Sequence, residues 1–257
     1  MKINSLSIIV GACLAASVIT ANAGVIQVSD ADFNAGAGVI TFSEYAQGTV
    51  NPVYTPSIYG GSLSDPTVTF DGFFMGQSLS ATPGIDCPGA AASACVVGTP
   101  TGSLSLDAAS PDVFITGDSS NPTSPVLSGK PRFNGPIAVL FSKDQYGVGF
   151  DAGFFNAVGS TGITAFARDG SLLGTISNSV RGIEFLGLVT DDGVASIAGV
   201  FLNLVGAEPA GFAVDNIRFG AVDDINVPGI KSVPEPGTLA LLSLGLAGIG
   251  FLRKKEN

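Results

Sequence analysis

Strand-like alternation of apolar and polar residues dominates the second half of the chain. Residues 137–141 form an apolar run, and in 146–152 the side chains of Val148, Phe150 and Ala152 fall on one face of a strand. Segments 162–168 and 172–176 flank Asp169-Gly170, a favoured pair for a two-residue type I′ hairpin turn. Next, Ile183, Phe185, Gly187 and Val189 share one face, while Leu186 and Leu188 predict that part of the other face is covered too. Asp191-Asp192-Gly193 turns the chain, 196–205 returns as a long strand, and 212–219 is the last. That last segment slips in phase: Phe212 and Val214 fit one alternation, Ile217 and Phe219 the other. A β-bulge at Asp215-Asn216 accounts for the slip and re-aims a polar side chain. The alternative is a strand buried on both faces, with Asp215 bonded to neighbouring backbone.

The first half is less regular. Residues 25–28, 39–42 and 67–70 read as strands, with Phe73-Phe74 extending the third, and the Pro-, Tyr- and Gly-rich segment 51–61 reads as a loop. Residues 77–132 are crowded with Gly, Pro, Ser, Thr and Asn; within them 104–106 and 113–115 are strand-like islands. A structureless loop of that length is unusual in a compact domain, so both islands are expected to pair with other strands. The pattern predicts an all-β fold, an antiparallel β-sandwich.

The two ends follow other rules. Residues 1–23 carry an early Lys2, an apolar run and the small-x-small sequence Ala21-Asn22-Ala23, the form of a secretory signal peptide cleaved before Gly24. The apolar run continues past Cys13, which argues against a lipid-attachment site there. At the other end, Pro234-Glu235-Pro236 is an extended, helix-resistant stretch. The apolar run 239–252 and the cations Arg253, Lys254 and Lys255 follow it. The run is short beside the ~20 residues of a full bilayer span, and a basic end of this kind snorkels into headgroups and favours a cytoplasmic C-terminus. The predicted division is a signal helix at 1–23, a sandwich domain at 24–220, a linker at 221–232 and a sorting and anchor segment with a short transmembrane helix at 233–257.

The order Pro-Glu-Pro, apolar helix, basic cluster resembles the PEP-CTERM sorting signal of exported bacterial proteins. The resemblance implies processing by an exosortase, membrane anchoring through the C-terminus, and then a cell-surface or extracellular location. An ordinary membrane anchor is the other reading of the tail. The body resembles the jelly-roll, lectin-like sandwich that such proteins often carry, chiefly in its closing Val214-Asp215-Asn216-Ile217-Arg218-Phe219. Sandwiches of that kind hold a structural calcium between an early carboxylate and an aspartate of the last strand, here Glu44 and Asp215. Calcium takes six to eight oxygen ligands, so backbone carbonyls would complete the shell.

Composition narrows the chemistry. Lys and Arg number 11 against 21 Asp and Glu, a balance that disfavours nucleic acid and anionic membrane as partners and suits divalent cations. There is no histidine, which removes Ser-His-Asp and Cys-His catalysis and His-ligated zinc. There is no tryptophan either. Cys87 and Cys95, in an oxidising compartment, are expected to form a disulfide. Glu184, Asp151 and the pairs Asp191-Asp192 and Asp223-Asp224 are the other acidic candidates. Three functions stay open. The first is a non-enzymatic surface or matrix protein associated with exopolysaccharide. The second is a carbohydrate-binding module using Tyr45, Tyr54, Tyr59 or Tyr146. The third is a glycoside hydrolase with two converging carboxylates.

Overall fold

A computed structural model describes residues 24–229 apart from residue 205. In chain order its strands are β1 (Val25–Val28), β2 (Gly38–Ile40), β3 (Val53–Tyr54), β4 (Val68–Asp71), β5 (Gln77–Leu79), β6 (Val96–Gly98), β7 (Val113–Asp118) and β8 (Asn121–Gly129). The second half supplies β9 (Ile137–Gln145), β10 (Gly147–Phe155), β11 (Thr161–Phe166), β12 (Leu172–Ser177), β13 (Gly182–Thr190), β14 (Ile197–Leu204) and β15 (Ala213–Gly220). One sheet runs β1-β13-β10-β15-β8-β7, with β2 also on β15; the other runs β12-β11-β14-β9-β4-β3. Every strand pair is antiparallel. One hydrophobic cluster joins residues of both sheets, including Val148, Phe150 and Ala152 of β10 and Val139 and Phe141 of β9. The fold is the all-β antiparallel sandwich that the alternation predicts.

Three local expectations are corrected. Asp169-Gly170 is not a two-residue turn: Ala167 and Ser171 close a loop around residues 168–170 through Ala167 N to Ser171 O at 2.9 Å. A type I′ turn needs positive φ at both central residues; Gly170 has it at +85°, and Asp169 does not. In β13 the main core takes Leu186 and Leu188, while Ile183 is exposed and Val189 belongs to a smaller cluster with Val28, Tyr146 and Ile225. The supposed linker also begins as body. Val222–Asp224 is a one-turn helix, and Ile225 is buried in that smaller cluster.

Within 77–132 the island at 113–115 belongs to β7, and Leu106 bridges to Phe74. The strand β8 has no sequence signature because it holds Pro122 and Pro125. It tolerates them because Pro125 pairs with Gly117 of β7 alone, Pro122 falls in the register shift of that pair, and the one ladder contact of β8 with β15 is Leu127 to Val214.

Cys87 and Cys95 form the expected disulfide, and both are buried. It links a one-turn helix, Pro83–Asp86, to the start of β6. Replacing both cysteines by serine is expected to cost about 2–3 kcal/mol, the loop entropy of so short a ring. A urea titration of the double variant against the oxidised parent measures it.

Candidate functional site

A cleft opens where two bulges meet on neighbouring strands. On β10, Ala152 pairs with Glu184 but Phe155 pairs with Gly182, so three residues of β10 oppose two of β13. The extra residue breaks the alternation of Val148, Phe150 and Ala152. Phe155 turns into the core, and the Phe154 ring is left 55% exposed. Gly153 makes this possible: it sits at φ +150°, and a Cβ there would lie 2.6 Å from the Gly182 carbonyl oxygen.

On β15 the slip predicted at Asp215-Asn216 is a bulge. Gly149 pairs with Arg218 and Asp151 with Asp215, so β15 carries the extra residue. Asn216 takes φ +48°, a left-handed conformation that asparagine tolerates better than most residues. The bulge lets Phe212, Val214, Ile217 and Phe219 all enter the core. It also re-aims a polar side chain, since Asn216 Nδ2 donates to Asp151 Oδ2 at 2.8 Å.

Asp118, Ser119 and Ser120 at the β7–β8 turn, with Phe133, Phe154 and Phe212, line a cavity of about 220 Å³. A smaller one of about 30 Å³ adjoins it through Asp118 and Gly153 and reaches Asn121, Asp151 and Asp215. Neither is lined by a lysine or arginine. Two cations stand near these cavities: Arg132, over the Phe133 ring at 4.7 Å and donating to the Gly117 carbonyl, and Arg181, next to the Gly182 that faces the Phe154 ring. Asp215 is 3% exposed. Its Oδ2 accepts from Asn121 Nδ2 at 2.8 Å and its Oδ1 from Asn216 N at 2.7 Å. Burial raises its carboxyl above the ordinary value, against the pull of these hydrogen bonds. An exposed ring beside hydroxyls, amides and carboxylates can hold the apolar face and the hydroxyls of a sugar; the carboxylates repel an anion.

The two candidate calcium carboxylates, Glu44 and Asp215, both act electrostatically on the buried Tyr54 hydroxyl. Glu44 Oε1 accepts from Thr41 N at 3.1 Å and Thr41 Oγ1 at 2.9 Å. Its Oε2 and the Tyr54 hydroxyl are buried without a hydrogen-bond partner. Burial first, then the charge of Glu44 and more weakly that of Asp215, push the Tyr54 hydroxyl far above its usual range. Among the described residues no group of three His, Cys, Asp or Glu side chains gathers as a metal cluster. A calcium ion here would therefore use Glu44 Oε2 and Asp215 and depend on backbone and hydroxyl oxygens for the rest of its shell.

The tyrosines proposed for sugar stacking are packed instead. Tyr54 and Tyr146 are buried. Tyr45 lies edge-on to Tyr54 at 5.0 Å and Tyr59 edge-on to Phe219 at 5.4 Å. The exposed ring is Phe154, which strict alternation assigns to the interior; Gly153 before a Phe-Phe pair was its one visible signal. Glu184 is held by Ser179 and by the Val180 backbone.

Pro234, Glu235, Pro236, Arg253, Lys254, Lys255 and the signal peptide lie outside the described residues. Among the described residues no helix is long and apolar enough to cross a membrane. No curated protein matches the chain. Residues 232–255 match the PEP-CTERM protein-sorting motif. That motif implies export, anchoring in the membrane before cleavage, and an exosortase as the processing partner, and the chain joins it to a β-sandwich body.

Proposed function

We propose that this is a non-enzymatic cell-surface or extracellular matrix protein that associates with exopolysaccharide through the cleft at Phe154. The observation that carries the reading is the sorting motif at 232–255, which implies delivery to the envelope. The cleft supplies the lectin-like part: one exposed aromatic ring, polar groups around it and an acidic rim. It suits neutral or amino-bearing sugars better than uronic acids. Calcium held by Glu44 and Asp215 would tie the segment after β2 to the last strand. A hydrolase is the weaker reading, because the cleft carboxyl whose proton affinity is raised, Asp215, is buried and has both oxygens engaged.

The test is retention of residues 24–232 on neutral, amino and uronic polysaccharides, with and without calcium. Phe154→Ala is expected to lower retention by about tenfold, the weight of one stacked ring. Retention should be strongest on a neutral or amino glycan and no reducing ends should appear. Equal retention of parent and variant on every glycan would remove the cleft from the proposal; new reducing ends would replace it with the hydrolase.

A further inference from the structure

The first described residue is held by a carboxylate. Gly24 N lies 2.8 Å from Asp191 Oδ1, and Asp191 N returns a hydrogen bond to Gly24 O at 3.0 Å. Asp191 belongs to the turn after β13, and β1 runs antiparallel to β13 from Val25 opposite Thr190 to Val28 opposite Gly187. The carboxylate also covers the α-carbon: a Cβ on Gly24 would lie 2.7 Å from Asp191 Oδ2. A residue with a side chain at this position must displace the aspartate.

We propose that cleavage of the leader after Ala23 turns this contact into an ion pair, so that maturation itself fastens β1 to the turn between β13 and β14. The inference rests on reading residues 1–23 as a leader. The step is hydrolysis by a leader peptidase. The Ala23–Gly24 carbon–nitrogen bond breaks, the water oxygen leaves with Ala23 as carboxylate, and the Gly24 nitrogen becomes an ammonium. The nitrogen that donated one neutral N–H to Asp191 then donates as a cation, and charge-assisted bonds of this kind are shorter and stronger than neutral ones. A cut one residue earlier or later would put the new charge out of register with Asp191. The contact thus singles out the bond that follows the small-x-small sequence, Ala23–Gly24.

The surroundings keep the pair distinct. The strand β1 and its neighbour β12, where Gly174 meets Val25, carry no charged side chain. On β13 the charged residue is Glu184, bound to Ser179 and Val180 far from the turn. Asp192 sits beside Asp191 and bonds Val194 N. The remaining titratable neighbour is the Tyr146 hydroxyl, raised by burial and by Asp192, so a scan kept between pH 7 and 9.5 reads the α-amino group.

Two measurements test the proposal. Mass spectrometry of the protein exported from cells carrying the whole chain should find Gly24 at its N-terminus; any other start overturns the assigned bond. Thermal unfolding is then compared for the chain from Gly24 to Asn257, its N-acetylated form, its Asp191→Asn variant and the acetylated variant. An ammonium paired in the folded state titrates higher there than in the unfolded chain. Its contribution is complete below the unfolded value near 8 and is lost as pH rises through the folded one. The parent should melt about 0.5–4 °C above the acetylated form at pH 7, and the gap should close toward pH 9.5. Acetylation should change nothing in Asp191→Asn. A parent as insensitive to acetylation as the variant overturns the pair, whatever the exported N-terminus proves to be.

Discussion

Phe219→Ala is expected to destabilise the sandwich by about 3–5 kcal/mol, the cost of removing a fully buried ring from a core that cannot collapse around it. Phe219 stands on β15 of one sheet and touches Phe141 on β9 of the other, with ring centroids 5.4 Å apart. Tyr59 meets it edge-on, and Gly38 lies so close over the ring that a Cβ would come within 2.5 Å. The ring is thus a bolt between the two layers with backbone against one side and aromatic edges against the others. Urea unfolding followed by circular dichroism gives the loss directly, and an unchanged slope with a lower midpoint marks it as stability rather than a changed unfolded state. Phe219→Leu should recover a large part of the loss because it refills most of the volume.

Glu208→Ala is expected to cost roughly 2–4 kcal/mol, because two donors inside the protein lose their acceptor. Glu208 is fully buried. Its Oε2 accepts from Asn156 N at 2.8 Å and Ser160 Oγ at 2.7 Å, which fixes the β10–β11 loop to the chain between β14 and β15. Its Oε1 has no partner. Burial raises the carboxyl above its ordinary value despite the two bonds that oppose the shift. A group raised in the folded state stabilises most while protonated. Its contribution is therefore present below the unfolded carboxylate value and falls as pH rises through the folded one. Glu208→Gln should keep the loop in place and shed that part of the decline. Unfolding midpoints from pH 4 to 7 would show a shallower fall in the Gln variant than in the parent; parallel curves would mean that the carboxyl titrates alike in both states.

Alternation was legible wherever a strand keeps one phase over its length. The core face of β10 at Val148, Phe150 and Ala152 follows from period two, and β9 from its apolar run at 137–141. The phase slip in β15 was legible as well, because two apolar pairs in opposite phases leave a bulge as one of two solutions. The bulge in β10 was not. One inserted residue exchanges the fates of Phe154 and Phe155 without changing composition, so the exposed ring of the cleft looks interior in the sequence. The two prolines of β8 hid a strand for a different reason. Their cost depends on whether a second strand needs the missing N–H, and that is a property of the sheet. Glu208, in a Gly- and Pro-containing loop, offered no hint that its carboxylate would be fully enclosed.

The exit of the chain from the body has a mechanical consequence. Just after β15, Asn34 N bonds Asp224 O at 2.9 Å, Asn226 N bonds Asp32 O at 2.7 Å, and Phe33 bridges Ile225. The strand itself is flanked by β10 on one side and by β2 and β8 on the other. A body tethered by its C-terminal end takes any drag first on these straps and then along an interior strand, where the ladders on both flanks must shear together rather than peel one bond at a time.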